Sequence, residues 1–195
     1  MSTPKVIYLT GAPATGKSTL SRNLAMKMPE LKVFAYSEEL RKLLQRKFGG
    51  LAMTEDDIRR QSALAVTAED VVELDEELVD MVERERAHRS ILIDSHPVTK
   101  EHFGFRVTGF DAPTIQRLNP DVLVCLYASA EVTRTRIQAD AMGRPLPTAL
   151  ESDMHTHLQA SVVTQYGVLT GKAVYFFDSS CSQEELTEML LKRLR

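Results

Sequence analysis

Gly11-Ala12-Pro13-Ala14-Thr15-Gly16-Lys17-Ser18 satisfies the pattern G-x-x-x-x-G-K-[ST] at every fixed position. That spacing suits the holding of a polyphosphate. Glycines let a loop curl until successive backbone N–H groups face phosphate oxygens. A helix opening near Gly16 adds its positive end, Lys17 offers a point charge to the outer phosphates, and Ser18 places a hydroxyl for Mg²⁺. The candidate ATP contacts are therefore Gly11, Ala12, Pro13, Ala14, Thr15, Gly16, Lys17, Ser18 and Thr19. A chance match in a chain of this length is on the order of one in a hundred, and here an apolar strand precedes the loop and a helix follows it.

Such a loop needs a second acid, at the end of a neighbouring strand, to organise the Mg²⁺ shell. Ile91-Leu92-Ile93-Asp94 supplies one, since strand C-termini line the ligand crevice of a parallel sheet. Asp94 is thus the candidate catalytic carboxylate, acting on the metal through water and together with Ser18.

The elements that must position these groups are legible as apolar periods. Val6–Thr10, Val33–Tyr36, Ile91–Asp94, Val122–Tyr127 and Val174–Phe177 are short continuous apolar runs, as expected of strands covered on both faces. Helices are predicted over Lys17–Lys27 and Glu38–Lys47. Val71, Leu74, Leu78 and Val82 fall at i, i+3, i+7 and i+11, with Glu73, Glu76, Glu77 and Asp80 on the wet side. A capping box at Ser182-Gln183-Glu184-Glu185 opens a last helix carrying Leu186, Met189 and Leu190. Strands alternating with helices predict an α/β fold with a parallel sheet, in one domain spanning residues 1–195.

Further segments, in order along the chain, resemble the archaeal-type adenylate kinases. Ala35-Tyr36-Ser37-Glu38-Glu39-Leu40-Arg41 looks like the entry to a nucleoside-monophosphate (NMP) site. Asp94-Ser95-His96 followed by Gly104-Phe105 and Gly109 is similar to an Asp-Thr-His…Gly-Tyr…Gly segment. Leu118-Asn119-Pro120-Asp121-Val122 resembles the entry to the fourth strand, and Tyr166-Gly167-Val168-Leu169-Thr170-Gly171 a later Tyr-Ala-x-Leu-x-Gly run. Asp57-Ile58-Arg59-Arg60 is similar to an Asp-Glu-Met-Arg.

The resemblance implies a P-loop fold with a five-stranded sheet ordered 2-3-1-4-5, ATP and Mg²⁺, and phosphoryl transfer to an NMP, AMP foremost. It implies an NMP-binding insert at about 37–88 and a short lid at about 134–150. Ser37, Arg41, Arg59, Arg60, His96 and Phe105 would serve the acceptor, with Arg136 and Arg144 over the transferring phosphoryl. It also implies cytoplasmic location, and trimers occur among its members. Three departures stand out: Ser37-Glu38 in place of Gly-Asp, fewer arginines in the lid, and Pro97 with an extra His102 after Asp94. Arginine suits this chemistry on physical grounds, since a planar, always-charged fork binds phosphate in a bidentate way.

Composition bounds the rest. The chain has 195 residues, 43% hydrophobic and 26% charged, with net charge −3, ordinary for a packed domain. Residues 1–50 carry nine Lys/Arg against three Asp/Glu, residues 51–95 five against thirteen, and residues 96–195 ten against eleven. A basic first quarter suits a small polyanion, whereas the overall balance argues against a broad nucleic-acid surface. No apolar stretch reaches membrane-spanning length, and two cysteines make no framework. Cys125 is expected in the core, His155 and His157 on the surface, and Arg134 in a surface ion pair with Glu131. Two other functions fit the same loop. One is a kinase acting on a hydroxyl of a metabolite, nucleoside or nucleic acid, with Asp94 as base; the other is an ATP-binding switch with slow hydrolysis.

Overall fold

The computed structural model describes residues 3–47, 66–139 and 145–194. Arg59, Arg60 and Arg144 lie outside them.

In chain order the elements are β1 (Val6–Gly11), α1 (Lys17–Lys27), β2 (Lys32–Ala35), α2 (Tyr36–Lys47), α3 (Ala68–Glu85), β3 (Ile91–Asp94), β4 (Val98–Glu101), β5 (Gly104–Val107), α4 (Ala112–Leu118), β6 (Val122–Tyr127), α5 (Ala130–Gln138), α6 (Ala149–Thr170), β7 (Val174–Asp178) and α7 (Gln183–Leu194). Five strands pair in parallel in the order β2-β3-β1-β6-β7. This differs from the expected 2-3-1-4-5 because an antiparallel hairpin, β4 with β5, is interposed after β3. Val98-Thr99-Lys100-Glu101 has too little apolar content to announce a strand, so the hairpin escaped the reading and the last two strands become the sixth and seventh.

Alternation along each strand builds two cores. Tyr8, Ile91, Ile93, Leu123 and Cys125 face α3, α4 and α6, where Leu74, Leu78, Val82, Ile115 and Val163 meet them. Ile7, Leu9, Leu92, Val124 and Leu126 face α1 and α7 through Leu20, Leu24, Leu186 and Leu190. Each fully buried leucine of this kind contributes about 1.5–3 kcal/mol. β1 therefore lies at the centre, with its C-terminal end opening into the loop. Caps fix the helices: Thr67 and Asp70 form a capping box on α3, and Thr148 and Glu151 another on α6. The Ser182 hydroxyl accepts the Glu185 N–H at the start of α7.

An aromatic cluster sits in the first core. Tyr8 meets Tyr166 edge-on at 5.3 Å and Phe110 at 6.1 Å, and Tyr36 meets Phe110 at 6.0 Å. The Tyr36 hydroxyl donates to Asp75 Oδ1 at 2.8 Å. Burial, opposed by that bond and reinforced by the charges of Asp111 and Glu76, lifts the Asp75 carboxyl to about 6. A carboxyl raised above its unfolded value favours the fold while protonated, and that contribution fades as pH rises through about 6. Asp75→Asn keeps an acceptor for Tyr36 and removes the charge. The variant is expected to raise Tm at pH 8 and to raise it less at pH 5, as followed by thermal unfolding at both pH values.

Candidate active site

The loop after β1 closes on itself. Its backbone takes positive φ at Gly11 (154°), Ala14 (60°) and Gly16 (83°). A Cβ at Gly11 would stand 2.5 Å from the Leu126 carbonyl oxygen, so only glycine fits there. Ala14 carries a left-handed turn that costs about 1–2 kcal/mol for a residue with a side chain. The Thr15 hydroxyl donates to the Ala12 carbonyl at 2.7 Å, and Lys17 Nζ donates to the Gly11 carbonyl at 2.8 Å. Lys17 is only 5% exposed, so its ammonium is held inside the curl. Ser18, the next residue on α1, is exposed. A concave backbone with an ammonium inside it can hold an anion of several oxygens.

Asp94 ends β3 beside β1, with Leu9 as its register partner. Its Oδ2 accepts from Ser21 Oγ at 3.4 Å, and its Oδ1 stands 4.0 Å from His96 Nδ1. That Oδ1 is buried without a hydrogen-bond partner among the described residues. Burial pushes the carboxyl up, and the nearby Lys17 charge is the main force pulling it down. Ser18, Ser21, Ser37, Glu38, Asp94 and His96 are among the residues lining an open cleft of about 800 Å³. A hydroxyl and a lone buried carboxylate oxygen suit Mg²⁺, which keeps most of its waters and takes few protein ligands. Among the described residues no group of three His, Cys, Asp or Glu could hold a metal by itself.

The other expected residues divide. Ser37 reaches the cleft, but Arg41, half-buried on α2, lies outside its lining. Phe105, on β5, packs edge-on against the His155 ring at 5.2 Å. Arg136 donates to the Ala14 carbonyl at 3.3 Å and to the Ser179 carbonyl at 2.7 Å, which ties the outer curve of the loop to the turn after β7. Arg134 donates to the Pro147 carbonyl, and no ion pair joins it to Glu131.

α6 brings residues that the sequence reading missed. His155 is 6% exposed, not on the surface as expected, and its Nε2 lies 3.1 Å from the Val98 carbonyl of the hairpin. Burial pushes its imidazole below the usual value, the Val98 bond opposes this, and the Lys17 charge adds to it. One turn on, Gln159 is fully buried and its Oε1 accepts from Thr10 Oγ1 at 2.9 Å. The available signal was the spacing of Ser152, His155 and Gln159, a polar stripe at i, i+3 and i+7 continuous with Val163 and Tyr166. His157 is exposed and Cys125 buried, as expected; burial pushes the Cys125 thiol up to about 12.

Residues 10–152 match the protein family described as the AAA domain. The adenylate kinase of Methanococcus vannielii is 24% identical over 176 residues, covering 87% of this chain and 86% of its own. Solved structures share the fold, two of them as follows. The YorR protein of Bacillus subtilis, in complex with phosphorylated GDP, has a TM-score of 0.62 at 16% identity, covering 97% of this chain and 95% of its own. Shikimate kinase from Acinetobacter baumannii, in complex with shikimate, has a TM-score of 0.56 at 16% identity, covering 99% and 94%.

Proposed function

The chain belongs to the AAA-domain family and is a P-loop kinase, a phosphotransferase, and from this we propose that it transfers the terminal phosphoryl group of ATP to a nucleoside monophosphate, AMP foremost. The observation that carries the reading is the buried Lys17 ammonium inside the loop, within electrostatic reach of Asp94 in the lining of a cleft. The archaeal adenylate kinase among the relatives supports the nucleotide acceptor.

In this reading the acceptor phosphate oxygen attacks the terminal phosphorus of ATP, the bond to the bridging oxygen breaks, and ADP leaves. The acceptor needs no base, because a phosphate with a second pKa of about 6 is already largely ionised. Catalysis is then positioning and neutralisation of charge on the phosphoryl oxygens. Residues 11–19 cradle the polyphosphate, and Lys17 balances charge between donor and transferred group. Ser18 and Asp94 would hold Mg²⁺, which would supply neutralisation of phosphate charge. Arg136 braces the loop from outside, and Arg144 closes over the site from a lid at about 134–150. Ser37, Arg41, Arg59, Arg60, His96 and Phe105 serve the acceptor from an insert at about 37–88. Cytoplasmic location and a homo-oligomer accompany this reading.

A second reading rests on Asp94 Oδ1, which is buried and has no hydrogen-bond partner among the described residues. A carboxylate raised by burial could take the proton of an acceptor hydroxyl, and a shikimate kinase shares the fold. The deciding experiment is a product-resolved assay with ATP and Mg²⁺ against ribo- and deoxy-NMPs, nucleosides, shikimate and a single-stranded oligonucleotide. ADP formed in step with one phosphorylated NMP is the expected result. Phosphate on a hydroxyl selects the second reading, and slow ATP turnover indifferent to every acceptor overturns both.

A further inference from the structure

Gln159 has a placement that packing alone does not explain. It is fully buried on α6, its Oε1 is bound by the Thr10 hydroxyl at 2.9 Å, and its Nε2 has no hydrogen-bond partner among the described residues. A half-satisfied buried carboxamide serves stability less well than an apolar side chain of the same size. Thr10, also fully buried, is the residue before Gly11, and the Gly11 carbonyl takes the Lys17 ammonium. A short chain of contacts therefore runs from α6 through Gln159 and Thr10 to Gly11 and Lys17.

The same helix holds other elements. His155 meets the Val98 carbonyl of the hairpin, and Glu151 pairs with Lys100 at 3.2 Å. The Tyr166 hydroxyl accepts the Phe110 N–H at 2.6 Å. At its N-terminus α6 joins Pro147, whose carbonyl takes Arg134 from α5. α6 is thus the element to which the hairpin, the segment before α4 and the end of β1 are all fastened.

We propose that Gln159 is a positioning residue for phosphoryl transfer. By fixing Thr10 to α6 it sets the position of the Gly11 carbonyl, and with it that of the Lys17 ammonium. It acts through Lys17 and does not touch the transferred group. The proposal rests on the kinase reading above only for its assay.

The test is a double-mutant cycle on Thr10→Val and Gln159→Leu, reading Tm, kcat and the KM for ATP. Thr10→Val alone leaves both ends of the carboxamide unpartnered and is expected to lower Tm. The double variant removes every polar atom of the pair and is expected to recover Tm. A misplaced reacting group costs about 10²-fold, so kcat in the double variant is expected to stay about 10²-fold low, with the KM for ATP within about twofold of the parent. Thr10→Ser, which keeps the hydroxyl, is expected to restore kcat relative to Thr10→Val. If kcat recovers together with Tm in the double variant, the pair is merely structural and the proposal is overturned. If the parent protein phosphorylates no acceptor, the kinase reading fails by itself, and the same cycle is read on ATP hydrolysis, where the same split between Tm and kcat is expected.

Discussion

Lys17→Met is expected to lower phosphoryl transfer by about 10³-fold, the scale of removing one preorganised charge from a developing anion. Methionine keeps the length and the apolar stem, so the effect reads the ammonium. The lysine is 5% exposed and bonded to the Gly11 carbonyl, and a buried positive charge acts with less screening than one in open solvent. The same substitution removes the main influence that lowers the Asp94 carboxyl against burial. The acid limb of a pH–kcat profile is therefore expected to move upward in the residual activity. Steady-state kinetics from pH 5 to 9 on both proteins test this. Activity within tenfold of the parent, or an unmoved acid limb, would contradict the placement of Lys17 beside Asp94.

Asp94→Asn is the second large effect, with an expected loss of about 10²–10³-fold in kcat. The Ser21 hydroxyl can still donate to the asparagine oxygen, so the local backbone is expected to hold and Tm to change little. The outcome separates the two roles the carboxylate can take. Recovery of much of the loss by raising Mg²⁺ is expected if Asp94 organises the metal shell, since mass action then replaces a weakened ligand. Loss insensitive to Mg²⁺, together with disappearance of the acid limb of the pH profile, would transfer Asp94 to the role of base and favour a hydroxyl acceptor. An unchanged kcat would remove Asp94 from the site.

The sequence made the frame legible because the frame obeys simple periods. Val6–Gly11 and Ile91–Asp94 are unbroken apolar runs, and a strand with both faces covered has little alternative. The phosphate loop was legible because its glycines and lysine sit at a spacing that few other structures need. The β4–β5 hairpin was not, because Thr99, Lys100 and Arg106 are polar and the pair is held by backbone bonds and by docking on α6 rather than by an apolar pattern. His155 shows the other limit. With His157 two residues away, the helix period correctly places the two on different faces, but it says nothing about which face is buried. That choice is made by the hairpin and by Thr10, which lie 57 and 149 residues away in the chain from the α6 side chains they bind.

The central place of β1 has a consequence for the order in which the protein comes to exist. β1 is flanked by β3 and β6, so on the ribosome it has neither neighbour until residues 91–94 and then 122–127 have been synthesised. At about 5–20 residues per second that delay is several seconds or more, during which an apolar segment and its loop stay exposed. The Thr10–Gln159 bond can form only after α6 follows. Nucleotide affinity is thus a property the nascent chain acquires late, although the loop that confers it is translated before either strand that flanks β1.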